Sequence, residues 1–224
     1  RPDSITEDKL RAILDRGVGR ISINPQTMQD KTLKLIGRQH TVGDFMRAYS
    51  LARDMGFDDI NTDLIMGLPG ETIDDVRDTL DKISALKPDN ITIHSLAIKR
   101  AANLNIEMEK YRNHDMGATD EMLNLAYKAA YDLELSPYYL YRQKNIPGNF
   151  ENVGFARCGT EGIYNILMME EKQTVLALGA GTVSKRVYNT GGRIERIDNV
   201  KALDQYIDRI DEMIDRKRTL LEGD

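Results

Sequence analysis

A chain of 224 residues with 41% hydrophobic and 30% charged side chains can bury a sizeable core and has the composition of an ordinary globular protein. Its net charge of −5 is mild, and its Lys and Arg residues alternate with acids, so no basic stripe marks it for nucleic acid or an anionic membrane. A single cysteine, Cys158, excludes an internal disulfide, and apolar runs such as residues 60–68 are far too short to span a bilayer.

The first two-thirds alternates short β-rich runs with helical patterns, as βα units around a parallel sheet do. Residues 20–24 (Arg-Ile-Ser-Ile-Asn) read as a strand, followed by a helical stretch to about Ile36. Thr41-Val-Gly-Asp44 is a capping-box pattern opening a helix that Gly56 closes. Ile60 to Met66 is the second strand, Gly67-Leu-Pro-Gly70 a tight turn, and Thr72-Ile-Asp-Asp75 a second capping box. Ile91 to Ala97 is the third strand. A helix from about Thr119 to Leu133 follows, keeping Met122, Leu123, Ala126, Tyr127 and Ala130 on a 3.6-residue period. A further strand starts at Pro137.

The character changes after about residue 145, which divides the chain into 1–145 and 146–224. Residues 146–160 are rich in Gly, Pro and Asn and read as a loop. Thr174 to Leu178 and Val183 to Tyr188 read as strands, with Asn189-Thr-Gly-Gly192 turning into a strand over Arg193 to Ile197. From Val200 a final amphipathic helix puts Leu203, Tyr206, Ile207, Ile210 and Ile214 on one face, expected to pack on its own domain. The expectation is an α/β fold: a partial parallel (β/α) barrel with a β-rich extension and a terminal helix. Three or four βα units cannot close an eight-stranded barrel.

Ligands of such folds lie at the carboxyl ends of the strands. Gln26 follows the first strand, Asp63 interrupts the second, Ala97 ends the third, and Arg38 lies just past the first helical stretch. A carboxylate flanked by Ile60, Leu64 and Ile65 costs several kcal/mol unless paired, so Asp63 needs a partner. A loop cap or a core Arg would supply one, and a ligand role stands level with that; for Gln26 and Arg38 the residues alone favour ordinary surface positions. Gly179-Ala-Gly181 lacks the third glycine and following helix of a dinucleotide site, and Gly67-Leu-Pro-Gly70 lacks the Gly-Lys-Ser/Thr ending of a phosphate loop. His40, His94 and His114 have no metal-ligand spacing, and no nucleophile motif supports hydrolase chemistry.

Three strings, Arg20-Ile-Ser-Ile-Asn-Pro-Gln26, then Ile60-Asn-Thr-Asp63-Leu-Ile-Met-Gly-Leu-Pro-Gly70-Glu-Thr, then Lys87-Pro-Asp-Asn-Ile-Thr-Ile93, resemble in order and spacing the core of the radical S-adenosylmethionine (SAM) oxygen-independent coproporphyrinogen III oxidase family. Tyr139-Leu-Tyr-Arg-Gln-Lys-Asn145 and Leu178-Gly-Ala-Gly181 look like the variant of anaerobic and facultative bacteria. Where haem-chaperone relatives carry Tyr-Glu-Ile-Ser-Asn, this chain has Tyr141-Arg-Gln-Lys-Asn145, which places the chaperone role second.

The resemblance implies the second half of a radical-SAM partial barrel over residues 1–145, with SAM across the strand ends. Gln26 and Arg38 would face its methionine and ribose side, Asp63 its sugar, and Ala97 and Val183 its adenine. The family's CxxxCxxC motif, its glycine-rich loop and an acidic SAM ligand are absent, so the ligands of the 4Fe-4S cluster are expected upstream, and the chain is expected to be a fragment or partial gene product, inactive alone, with an exposed first sheet edge. For the intact protein the family implies a cytoplasmic enzyme. A deoxyadenosyl radical takes hydrogen from propionates of coproporphyrinogen III, and loss of carbon dioxide and an electron leaves the vinyls of protoporphyrinogen IX in haem biosynthesis. Arg142 and Lys144 are candidate partners for the propionates beside a reading as solvated loop residues. A haem-trafficking relative and an inactive fragment are the alternatives.

Overall fold

The computed structural model describes residues 1–97, 111, 114–142, 148, 150–188 and 192–222. The chain divides into two units, Arg1–Gly162 and Ile163–Asp224. The first is built on an open five-stranded sheet of β1 (Arg20–Ser22), β2 (Asp59–Met66), β3 (Asn90–Ser95), β4 (Ser136–Tyr141) and β5 (Asn152–Ala156), in the order β1-β2-β3-β5-β4. β1, β2 and β3 run parallel, with Ile21 opposite Ile60 and Asp63 opposite Thr92. Parallel neighbours require crossovers, supplied by α2 (Asp30–Leu35) and α3 (Val42–Asp54) after β1 and by α4 (Ile73–Leu86) after β2; α1 (Glu7–Leu14) precedes β1 and α5 (Asp120–Asp132) precedes β4.

The helix boundaries follow from local chemistry. Thr41 and Thr72 are reciprocal capping boxes with Asp44 and Asp75, whose backbone N–H groups donate to the threonine hydroxyls at 3.1 and 3.3 Å. At its far end α4 stops where Lys87 turns left-handed, at φ 50°. One face of the sheet, carrying Ile60, Leu64, Met66, Ile91, Ile93 and Phe155, is buried against Phe45 and Ala48 of α3, Val76, Leu80 and Ile83 of α4, and Leu123, Ala126 and Ala130 of α5. Each fully buried Ile or Leu there stabilises the fold by about 2 kcal/mol relative to exposure. The two-residue alternation of strands sends Asn61 and Asp63, and Thr92 and His94, to the opposite face.

Two sequence expectations change here. Residues 146–160, expected as loop, contain β5, which pairs antiparallel with both β3 and β4. It was hidden by Gly154, a poor strand former; in the sheet Gly154 sits beneath the Tyr139 ring, where a Cβ would lie 1.9 Å from a ring carbon. Because β5 joins the sheet, the units divide at Gly162 rather than at residue 145.

The second unit contains α6 (Ile163–Met169), an antiparallel hairpin of β6 (Val183–Val187) and β7 (Ile194–Asp198), then α7 (Leu203–Asp208) and α8 (Ile210–Glu222). Of the turn expected between the strands, residues 189–191 lie outside the described residues. Thr174 to Leu178 is not a strand. Val175 makes one isolated bridge to Lys185, after which the Ala177 N–H donates to Ser184 Oγ and the Ala177 carbonyl accepts from Asn199 Nδ2, so side chains replace the ladder. The final helix is two, broken at Arg209 (φ −112°, ψ 30°). Its expected packing face is corrected too: Leu203, Ile207, Ile210 and Ile214 are exposed, and α8 buries Met213 and Leu220 instead.

Candidate ligand-binding face

The face of the sheet opposite the helices is polar, and β1, β2, β3 and β4 contribute to it. Toward the amino ends of the strands it is closed by an ionic network: Arg20 pairs with Asp59 at 2.6 Å, and Asn90 Nδ2 donates to the same carboxylate at 2.8 Å. Toward the carboxyl ends stands Asp63. Asn61 Nδ2 donates to its Oδ1 and Asn24 Nδ2 to its Oδ2, both at 2.8 Å, while the Asp63 N–H donates to Asn24 Oδ1 at 3.2 Å. His94 Nε2 lies 3.6 Å from Oδ2, in electrostatic contact just beyond hydrogen-bond length, and His94 Nδ1 is 3.2 Å from the Tyr141 hydroxyl.

Burial pushes the Asp63 carboxyl up, but the adjoining His94 imidazole and the donors of Asn61 and Thr92 outweigh it and hold the group below the usual carboxylate range. Asp63 is therefore a preformed anion in a largely dry setting, with side-chain exposure of 24% on the polar face. The partner that the sequence demanded is neither a loop cap nor a core Arg but two amides and an imidazole. Beside it, burial pushes the Tyr139 hydroxyl up to about 12, so that it stays a neutral donor.

Gln26 is bonded to β2 through its backbone. It adopts φ 71°, a left-handed conformation costly for a residue with a Cβ, and is held there because its N–H donates to the Asp63 carbonyl at 3.1 Å and its carbonyl accepts from Ile65 at 2.9 Å. Its side-chain oxygen accepts from Arg38 Nη2 at 3.1 Å. Burial lowers the Arg38 guanidinium below its ordinary value, the signature of a cation stripped of part of its water. Behind this loop, the buried His40 places Nε2 3.2 Å from the Pro25 carbonyl.

Gln26 is thus joined to β2 through its backbone and to Arg38 through its side chain. Ala97 lies two residues beyond β3, half-buried, in a segment tied to the end of β2 by the Leu96 N–H donating to the Met66 carbonyl. Val183 is the first residue of β6 and belongs to the second unit. Arg142 does not join Asp63: it pairs with Glu151 at 2.9 Å and borders a cavity of about 300 Å³ lined by Asp120, Leu123, Asn124 and Tyr127 of α5, on the helix-covered side. Lys144 lies outside the described residues. Sequence reasoning missed Asn24, Asn61, His94 and Tyr141 as parts of this site. Polar residues two apart on neighbouring strands, Asn61 with Asp63 and Thr92 with His94, were the available signal.

Asp63 offers an anionic acceptor suited to hydroxyl donors, and Arg38 with Gln26 a cation and an amide suited to a carboxylate. A cysteine-ligated cluster does not fit this chain, whose one cysteine, Cys158, is exposed; among the described residues no three His, Cys, Asp or Glu side chains converge to hold a metal ion.

Known proteins resemble this chain in sequence and in fold. Residues 1–83 match the model of the radical SAM superfamily. The chain is 42% identical over 222 residues to the oxygen-independent coproporphyrinogen-III oxidase-like protein HemZ of Bacillus subtilis, a match covering 99% of this chain and 44% of that protein. It is 28% identical over 211 residues to the heme chaperone HemW of the same organism, covering 94% of this chain and 51% of that protein. The solved structure of coproporphyrinogen III oxidase HemN from Escherichia coli, a radical SAM enzyme, shares the fold with a TM-score of 0.65 at 20% identity, over 94% of this chain and 47% of that one. The chain spans about half the length of these relatives.

Proposed function

Because this chain belongs to the radical SAM superfamily, in the branch of the oxygen-independent coproporphyrinogen III oxidase-like proteins, we propose that its polar face is one wall of a SAM site in an enzyme that decarboxylates the propionates of coproporphyrinogen III to vinyls. The preformed Asp63 carboxylate on the polar face, held by Asn61 and Asn24 toward the carboxyl ends of the parallel strands, is the observation that carries this reading. SAM, when bound, supplies the carbon radical that removes a substrate hydrogen atom. The residues of this chain bind and orient. Asp63 accepts from the ribose hydroxyls with its free lone pairs, and Arg38 with Gln26 takes the methionine carboxylate and ribose side, where the poorly hydrated guanidinium gains an anion. Ala97 contacts the adenine through backbone groups and packing. Held this way, the reactive carbon meets substrate in one orientation, and the protein's contribution is positioning and exclusion of side reactions.

Under this reading the 4Fe-4S cluster is held outside this chain, the intact protein works in the cytoplasm, and a tetrapyrrole is its partner. Among the described residues no helix is long and apolar enough to cross a membrane. A second reading, haem binding and transfer without decarboxylation, draws support from the likeness to the HemW chaperone over nearly the whole chain.

The deciding experiment uses the intact protein that carries this chain, prepared anaerobically and given SAM, reductant and coproporphyrinogen III. Formation of 5′-deoxyadenosine together with vinyl-bearing porphyrinogen is the expected result. Deoxyadenosine without porphyrinogen turnover, accompanied by stoichiometric haem binding, selects the second reading. Neither deoxyadenosine nor SAM binding overturns both.

A further inference from the structure

His94 has no role in the SAM contacts set out above, yet it is the imidazole in contact with the central carboxylate. Its ring is engaged at both nitrogens, Nε2 at 3.6 Å from Asp63 Oδ2 and Nδ1 at 3.2 Å from the Tyr141 hydroxyl. The Tyr141 ring meets the imidazole edge-on, at 71° with centroids 6.3 Å apart, and lies parallel to the Tyr139 ring, with centroids at 6.2 Å. Tyr139 in turn rests on Gly154, whose missing Cβ leaves the room the ring occupies. A line of packed groups therefore runs from Gly154 through Tyr139, Tyr141 and His94 to Asp63, across four strands and on the polar face rather than in the apolar core.

We propose that His94, anchored by Tyr141, is a positioning residue that fixes the orientation of the Asp63 carboxylate for ligand binding. The inference rests on the reading of this face as the SAM site. Its physical basis is the division of labour around the carboxylate. Asn61 holds Oδ1 and Asn24 holds Oδ2, but both are uncharged amides. The titratable groups facing Asp63 are His94 from β3 and Tyr139 and Tyr141 from β4; from the β1 side comes the neutral Asn24, and the Arg38 guanidinium is turned to Gln26. His94 is thus the imidazole in electrostatic contact with the carboxylate, held from its far side by Tyr141. A carboxylate held by such a neighbour resists both rotation and protonation.

The test is binding of S-adenosylhomocysteine to the intact protein by titration calorimetry from about pH 3 to about pH 8, a range that reaches below the ordinary carboxylate value. His94→Phe keeps a ring of similar size but no donor. It is expected to weaken binding about tenfold at neutral pH, the loss of one interaction with a charged group, and to move the acid limb of the binding profile to higher pH. His94→Gln, whose amide donates to Asp63, is expected to recover most of the neutral-pH affinity. Wild-type binding by His94→Phe at every pH, alongside weakened binding by Asp63→Ala, overturns the role of His94 and leaves the site standing. Equal losses in the Phe and Gln variants with no movement of the acid limb also overturn it, since they mark a merely structural residue. Unchanged binding by Asp63→Ala overturns the site reading itself.

Discussion

Glu71 offers a quantitative check on how the loop after β2 is built. It is 7% exposed, and Thr27 Oγ1 donates to its Oε1 at 2.5 Å. Thr27 lies 3.3 Å from Thr79 Oγ1, which accepts from the Met28 N–H at 3.1 Å, so the carboxyl ties the chain after β1 to α4. Burial pushes Glu71 above its ordinary value of 4.5; donors from Thr27 and Thr32 do not offset this. The sign follows from linkage. A carboxyl that holds its proton more tightly when folded stabilises the protein fully below its unfolded pKa, and that contribution is lost as pH rises through the folded pKa. Each unit of upward shift costs about 1.4 kcal/mol at pH 7. Glu71→Gln keeps the shape, can accept from Thr27 and can donate to Thr32, yet has no charge to bury. The variant is expected to exceed the wild type by about 1 to 2 kcal/mol at neutral pH, a rise in Tm of about 2 to 8 °C, with the gap closing below about pH 4.5. Thermal melts of both proteins across this range, compared pair by pair, measure it. A gap that is absent at neutral pH, or that does not change with pH, would refute the argument.

Gly67→Ala forces a Cβ to within 2.1 Å of the Gly117 backbone at φ 81°, and is expected to cost about 3 kcal/mol or more in urea denaturation, from strain and overpacking together. Gln26→Gly relieves a left-handed residue and should raise stability by about 1 kcal/mol while weakening S-adenosylhomocysteine binding, because the Arg38 partner is lost; melts and calorimetry on one sample separate the two effects. Asp63→Asn keeps the shape but not the charge and is expected to lower that affinity about tenfold or more with the far-ultraviolet circular dichroism unchanged. Arg53→Met removes a guanidinium that donates to Asp89 at 2.6 Å and to the Phe57 carbonyl at 3.0 Å, and should cost about 2 to 3 kcal/mol in denaturation midpoint analysis.

Much of the first unit was legible in the residues because its signals are local. Capping boxes at Thr41 and Thr72, the period of α5 and the apolar run of β2 depend on neighbours within one turn or one strand, and these elements lie where the sequence placed them. The need of Asp63 for partners was equally legible, since it follows from the desolvation of a charge. Which partners it takes was not. Asn24, Asn61, His94 and Tyr141 come from four segments and meet only through sheet register, and a two-residue period marks a face without saying what lies across it.

The sequence by itself determined the βα alternation, the capped helix starts at Thr41 and Thr72 and the family. Tertiary structure decided the rest. β5 exists because β3 and β4 offer it backbone partners on both sides, which outweighs the weak strand propensity of an Asn- and Gly-containing segment. Residues 174–178 fail as a strand for the converse reason: Ser184 and Asn199 satisfy the backbone first. Gln26 takes a conformation its own side chain disfavours because two hydrogen bonds to β2 hold it there, and its side chain then meets Arg38. Local chemistry chooses elements, but the pairing energy between them chooses which strands form and which side chains share a site.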